Sequence, residues 1–261
     1  MSGKSIRLER IIDRETGRAF ILPLDHGATM GPLPGLYSIK DTVAKAAAGG
    51  ATAVLMHKGM VDAGHRGFGR DVGLILHLSA GSIYSASPDR KVIVSSVEEA
   101  LRLGADAVSV HLNIGGEGEP QMLEAAGKIA ADCAGWGVPL LAMVYPKGKA
   151  AEDPDAAKTC VRTAAELGAD LVKISYTGDP DSFREVTRGC PVPVVIAGGP
   201  DISSDRDLLT MVYDALDAEG AGISIGRRIF EHPDITGICS ALSDIVFRKK
   251  SVDEAMRRLS P

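Results

Sequence analysis

Leu167-Gly168-Ala169-Asp170-Leu171-Val172-Lys173-Ile174-Ser175-Tyr176 holds the end of a helix, a glycine stop and a short apolar strand. Glycine just past a helix takes the backbone conformation that other residues avoid, so it caps the helix and turns the chain back. The run after it is short, apolar and β-branched, the pattern of a strand buried on both faces of a parallel sheet. Leu103-Gly104-Ala105-Asp106 repeats the arrangement, and Ala48-Gly49-Gly50-Ala51 nearly does.

Working outward, similar apolar runs are Ala19–Leu24, Ala51–Met56, Leu74–Ser79, Ala105–Leu112, Pro139–Tyr145, Asp170–Ser175, Pro193–Ala197 and Gly222–Ile225. Helical patterns lie between them at Ile39–Ala48, Val97–Leu103, Gln121–Trp136, Ala156–Leu167, Pro180–Arg188 and Asp205–Asp217. Eight strands with interleaved helices in 261 residues predict a (β/α)8 TIM barrel. A doubly wound sheet is the other arrangement, but no GxGxxG follows the first strand. The reading is one domain over residues 1–261, with a lead-in at 1–18 and a C-terminal helix at 251–259. The glycine-rich stretch Lys58–Arg70 is open between helix and loop.

Composition narrows the function. Apolar residues make up 45% and charged residues 24%, ordinary for a globular chain. Thirty glycines and 4% aromatics imply tight turns and a core of small aliphatic side chains. A net charge of −5 argues against nucleic acid or an anionic membrane as the main partner. No uncharged apolar run approaches the ~18 residues of a membrane span. Met1–Arg10 carries no apolar segment of a secretory signal. Cys133, Cys160, Cys190 and Cys239 are widely spaced, with no CxxC pair. They fit reduced thiols and a cytoplasmic location.

In a barrel of this kind the C-terminal ends of the strands build the site. Here those ends read Asp25-His26-Gly27, His57-Lys58-Gly59, His77 with Ser79-Ala80-Gly81-Ser82, His111-Leu112-Asn113, Tyr145-Pro146-Lys147, Lys173 with Ser175-Tyr176-Thr177-Gly178, Ala197-Gly198-Gly199 and Ile225-Gly226-Arg227-Arg228. Gly198-Gly199 and Gly226-Arg227 stand where this fold usually binds phosphate, and glycine lets backbone amides approach an anion.

Lys173 lies inside a strand that should be buried, and a buried ammonium is costly unless paired or neutral. Desolvation lowers a lysine pKa, and a neutral amine attacks a carbonyl to form a Schiff base. The competing reading is a structural lysine paired with Asp25 or Asp170. Asp25 and Tyr145, a carboxylate and a phenol at the same mouth, favour catalysis because iminium chemistry needs proton transfer. His26, His57, His77 and His111 from consecutive strands raise a catalytic metal, although neither HxH nor HExxH occurs. Lys58 is a second Schiff-base lysine to weigh, but it follows its strand and should be more solvated.

Leu24-Asp25-His26-Gly27, His57-Lys58-Gly59, Gly64-His65-Arg66-Gly67, Met143-Val144-Tyr145-Pro146, Val172-Lys173-Ile174-Ser175-Tyr176-Thr177-Gly178-Asp179 and Ala197-Gly198-Gly199-Pro200 with Gly226-Arg227 together resemble the archaeal-type class I aldolases. The likeness spans roughly residues 7–258. It is greatest to the branch of 2-amino-3,7-dideoxy-D-threo-hept-6-ulosonate (ADH) synthases and to bacterial relatives that build an aminobenzoate precursor. The resemblance implies Lys173 as the Schiff-base lysine, Asp25 as proton acceptor and Tyr145 as proton donor. It implies substrate and phosphate contacts at His26, Gly27, Ala28, Thr29, Pro146, Lys147, Gly198, Gly199, Gly226 and Arg227. It also implies no metal or organic cofactor, a phosphorylated ketose and L-aspartate semialdehyde as substrates, aromatic biosynthesis as the setting, and homo-oligomers, decamers among them. One departure stands at Met143, where archaeal fructose-bisphosphate aldolases carry an aromatic residue. The alternatives are fructose-1,6-bisphosphate cleavage, or aldol addition of dihydroxyacetone phosphate to aspartate semialdehyde on the way to 3-amino-4-hydroxybenzoate. A metal-dependent lyase and a non-catalytic phosphosugar-binding barrel are more distant ones.

Overall fold

Eight parallel strands close on themselves in the computed structural model, which describes residues 2–64, 72–153, 155–199 and 202–259. In chain order the strands are β1 (Ala19–Pro23), β2 (Ala53–Met56), β3 (Gly73–His77), β4 (Ser79–Ala80), β5 (Val92–Ile93), β6 (Ala107–Ile114), β7 (Leu140–Pro146), β8 (Leu171–Ser175), β9 (Val194–Ala197) and β10 (Gly222–Ser224). β4 and β5 form a separate antiparallel hairpin. The other eight run around the barrel in the order β1-β2-β3-β6-β7-β8-β9-β10, with β10 closing on β1. The doubly wound alternative is thereby excluded.

Side chains alternate along each strand, and the barrel sorts them into two apolar cores. Ala19, Ile21, Leu55, Ile75, Ala107, Leu141, Met143, Leu171 and Val195 fill the interior, together with Ile11 from the lead-in. Their neighbours Phe20, Leu22, Val54, Leu74, Val108, Val172 and Ile196 face outward, into a larger core shared with the helices.

The lead-in contains a helix, Ser2–Leu8, that was not expected. It caps the N-terminal end of the barrel. Arg7 donates to the Gly137 carbonyl at 2.9 Å, and Lys4 pairs with Asp170 at 2.9 Å. The repeated Gly-Ala-Asp now has a cause. Asp106 accepts from the Leu74 backbone N–H and Asp170 from that of Leu140, each at 2.9 Å. Each aspartate thus ties its strand to the preceding one at the bottom of the barrel. Asp170 is thus engaged by Lys4 and the Leu140 N–H, and among the described residues it forms no ion pair with Lys173, which lies midway along β8.

Ile39–Ala48 and Asp205–Asp217 form helices with the expected bounds. The third strand stops at His77, earlier than expected, because Ser79 and Ala80 turn off to pair with Ile93 and Val92. Lys58–Met60 is a 3-10 turn and Val61–Gly64 a helical turn. The rest of that glycine-rich stretch, including His65-Arg66-Gly67, lies outside the described residues, as does Pro200. A long helix at Ile235–Arg248 escaped the reading of the sequence, and the C-terminal helix is short, Val252–Met256. Among the described residues no helix is long and apolar enough to cross a membrane.

Candidate active site

Toward the C-terminal end of the barrel the inward column of side chains turns from apolar to polar. In β8 it runs Leu171, Lys173, Ser175; in β7, Leu141, Met143, Tyr145; in β6, Ala107, Ser109, His111, Asn113. Strand register aligns Met143 with both His111 and Lys173, and Tyr145 with Asn113. The register thus sets His111, Asn113, Tyr145 and Lys173 side by side across three adjacent strands.

Two cavities open above this polar layer. The larger, about 330 Å3, is lined by His26, Ser175, Gly198, Gly199, Ser224, Gly226, Arg227, Arg228 and Glu231. The smaller, about 210 Å3, is lined by Asp25, Thr29, Met30, His57, His77, Ser79, Gly81, Lys91, His111 and Met143. Lys173, Tyr145 and His26 border both, so the cavities meet at the amine. Gly226 has to be glycine, because a Cβ there would stand 2.5 Å from the His26 ring.

Burial sets the ionisation of this layer. Lys173 is only 7% exposed. Desolvation brings its pKa down to about 8, against the pull of Asp25. At pH 7 about a tenth of the amine is then neutral and nucleophilic. His77 is pushed to about 3 and His111 to about 4 by burial, and burial also lowers His26 and His57. The imidazoles are thus neutral near pH 7. Burial raises Asp25, but the surrounding histidines and Lys173 outweigh it and bring its pKa to about 2. With the rings neutral, the cations left to act on Asp25 at neutral pH are Lys173 and, in the same cavity, Lys91. Tyr145 is driven well above its ordinary value by burial and by Asp25, so it stays a protonated phenol.

Neighbouring groups hold these side chains in place. His77 Nδ1 meets Ser109 Oγ at 2.7 Å and turns Nε2 toward Asp25 Oδ2, 3.9 Å away. His111 Nε2 meets Asn113 Oδ1 at 3.0 Å, and its ring packs on Tyr145 with centroids 5.1 Å apart. Among the described residues no group of three or more His, Cys, Asp or Glu is placed to hold a metal ion.

Of the site residues expected from the sequence, Asp25, His26, Thr29, Tyr145, Lys173, Gly198, Gly199, Gly226 and Arg227 line one cavity or both. Gly27, Ala28, Pro146 and Lys147 line neither. Lys147 is turned to the rim, where it pairs with Asp89 at 3.0 Å. Lys58 is also absent from both cavities and is engaged by Glu99 at 3.1 Å and the Val94 carbonyl at 2.9 Å. Asp179, part of the motif around Lys173, serves the fold: its side chain accepts from Ser182 N–H at 2.9 Å and caps the next helix. Lys91, Ser224, Glu231 and Met30 were not anticipated. For Ser224 a signal existed, since a serine two residues before Gly226 continues the inward column. The cysteines are buried and unpaired, and burial lifts Cys133 and Cys239 to about 12. They are poor nucleophiles.

Residues 19–232 match the DeoC/LacD family aldolases. A 2-amino-4,5-dihydroxy-6-oxo-7-(phosphonooxy)heptanoate synthase of Streptomyces griseus is 42% identical over 93% of this chain and 90% of its own. A 2-amino-3,7-dideoxy-D-threo-hept-6-ulosonate synthase of Halobacterium salinarum is 39% identical over 98% and 96%. Among solved structures, a Schiff-base-forming fructose-1,6-bisphosphate aldolase superposes with a TM-score of 0.85 at 31% identity, covering 94% of this chain and 100% of that one.

Proposed function

The chain belongs to the DeoC/LacD aldolase family and is a class I, Schiff-base-forming enzyme; from that premise we propose that Lys173 is its nucleophile and that it joins a ketose-phosphate-derived enamine to L-aspartate semialdehyde. The observation that carries this reading is the buried amine, with a pKa near 8, at the junction of two cavities beside a carboxylate and a phenol.

In this mechanism the donor's phosphate rests among Gly198, Gly199 and Arg227, which places its ketone over Lys173. Neutral Nζ attacks the carbonyl carbon, and Tyr145 supplies the proton with which the carbinolamine oxygen leaves as water. The resulting iminium draws electrons from the adjacent carbon. Asp25 takes the proton released there or, when a longer sugar is cleaved, the hydroxyl proton lost as the C–C bond breaks. The enamine attacks the aldehyde carbon of the acceptor, its alkoxide is protonated, and water releases the seven-carbon amino sugar acid from Lys173. The lysine is itself the electron sink, so these steps call on no further cofactor. The product suits entry into aromatic biosynthesis in the cytoplasm. Exposed apolar side chains on the β4–β5 hairpin, Ile83, Tyr84 and Val92, support assembly into a homo-oligomer.

Cleavage of fructose 1,6-bisphosphate is the second reading, favoured by the likeness to the solved aldolase. Against it stands Met143, aligned with Lys173 where archaeal fructose-bisphosphate aldolases are expected to place an aromatic ring. Incubation with dihydroxyacetone phosphate and borohydride, followed by peptide mapping, tests the nucleophile; the expected adduct is on Lys173. Turnover that requires aspartate semialdehyde supports the first reading, and cleavage of the bisphosphate without it supports the second.

A further inference from the structure

The smaller cavity contains a cation that the chemistry at Lys173 leaves unused. Lys91 precedes β5 and reaches the barrel mouth because the β4–β5 hairpin folds back over it. Gly81 opens the way: a Cβ there would stand 2.8 Å from Lys91 Cδ and 3.0 Å from Nζ. The ammonium donates to the Pro88 carbonyl at 2.8 Å, which leaves N–H bonds to spare. Asp89, two residues before it in sequence, attracts Lys91 but forms its ion pair with Lys147, at 3.0 Å. Among the described residues no carboxylate forms an ion pair with Lys91. The other basic groups on this wall, His57, His77 and His111, are neutral rings, and His77 and His111 are already bonded to Ser109 and Asn113.

If the larger cavity seats the donor's phosphate and Lys173 holds its ketone, the smaller cavity is the space left for the aldehyde. We propose that this cavity is the acceptor subsite and that Lys91 pairs with an anionic group, carboxylate or phosphate, at the far end of the acceptor. The proposal rests on the Schiff-base reading of Lys173 and adds what selects the second substrate. An ammonium that keeps free N–H bonds in a partly dry cavity forms charge-assisted hydrogen bonds to an anion. The neutral imidazoles around it offer no second full charge. An uncharged aldehyde of the same size would therefore bind more weakly. No bond is made or broken at Lys91; it orients the acceptor so that its carbonyl carbon meets the enamine.

The test uses Lys91→Met and Lys91→Arg in the full-length chain, with dihydroxyacetone phosphate as donor. Aspartate semialdehyde, glyceraldehyde 3-phosphate and propanal serve as acceptors. Borohydride trapping on Lys173 comes first, with dihydroxyacetone phosphate and then a panel of other phosphorylated ketones; if the wild type gives no adduct there with any of them, the Schiff-base reading of Lys173 and this proposal fall together. Given the adduct, Lys91→Met is expected to raise KM for the acceptor whose carboxylate or phosphate it pairs with about 10- to 100-fold more than for propanal. Its kcat should stay within a few-fold, and Lys91→Arg should restore most of the loss. A rise confined to aspartate semialdehyde assigns a carboxylate, and one confined to the phosphorylated aldehyde assigns a phosphate. Equal changes for all three acceptors, or no change, with the adduct intact would overturn the acceptor assignment while leaving the nucleophile in place.

Discussion

The two ends of the barrel are built from the same strands and obey opposite rules. At the N-terminal end, charges are matched: Lys4 with Asp170 at 2.9 Å and Arg10 with Asp106 at 3.3 Å, while Ile11 seals the interior with a side chain 1% exposed. At the C-terminal end Lys173 is buried, among the described residues no carboxylate is in hydrogen-bond contact with it, and histidines sit uncharged around it. One end satisfies its polar groups and holds the sheet closed. The other leaves them under-satisfied, which lowers an amine pKa at a cost in stability. Substitutions at the two ends should therefore separate stability from turnover.

The widest separation is expected at Lys173. Lys173→Met should reduce aldol turnover by a factor on the order of 10⁴ or more, because among the described residues Lys173 is the amine that borders both cavities, whereas Lys91 borders only the smaller one. The same change should stabilise the fold. The folded pKa near 8 lies below the ordinary 10.5, so the native state disfavours the charged form. That penalty is present in full below pH 8 and fades as pH rises toward 10.5. It amounts to about 3 kcal/mol at neutral pH. Chemical denaturation should show the variant more stable at pH 7, with the gap closing between pH 8 and 10.5. A gap that widens over that window would contradict the buried-amine account.

Next in size is Tyr145→Phe, which keeps the ring against His111 and removes the proton donor. A loss of about 10²- to 10³-fold in kcat, with borohydride trapping slowed rather than abolished, is the expected result. At the opposite end, Asp170→Ala should cost about 1–3 kcal/mol of stability by stranding the Leu140 N–H. Asp170→Asn, which keeps an acceptor, should cost less, and kcat/KM should be unchanged in both. The smallest effect is predicted for Lys58→Met. Its ammonium is held by Glu99 and Val94 outside both cavities, so turnover should stay within about twofold.

The barrel was legible because each βα unit announces itself locally, with a short apolar run, a capped helix and a glycine return. Ser79–Ala80 and Val92–Ile93 have no such signal: each strand is two residues long, and the eleven residues between them show no helical period. Ile235–Arg248 was missed for a different reason. Ile238, Cys239, Ala241, Leu242, Ile245 and Val246 are buried, and even Ser243 and Asp244 on its polar side are covered; no strand follows it, so the alternation of strand and helix that marks the other units is lacking. Lys173, Asp25 and Tyr145 were legible because a polar residue in or beside a buried strand asks for a cause. Lys91 was not, because Asp89-Arg90-Lys91 reads as a solvated charge run until the hairpin folds it over the mouth. Lys147 shows the converse: it looks like a mouth residue in sequence, yet Asp89 draws it to the rim.

The seam between β1 and β10 also bears on how the chain folds. Ala19 pairs with Gly222 and Ile21 with Ser224, so the first and last barrel strands meet across some two hundred residues of chain. Arg18, just before β1, donates to the Val246 carbonyl at 2.8 Å, across a still longer separation. Contacts this distant along the chain close large loops and form slowly. During synthesis β1 leaves the ribosome well before β10, so one edge of β1 lacks its barrel partner until the other barrel strands have been made. A β1–β2–β3 sheet formed in that interval would carry an open edge, a state prone to pairing with other chains.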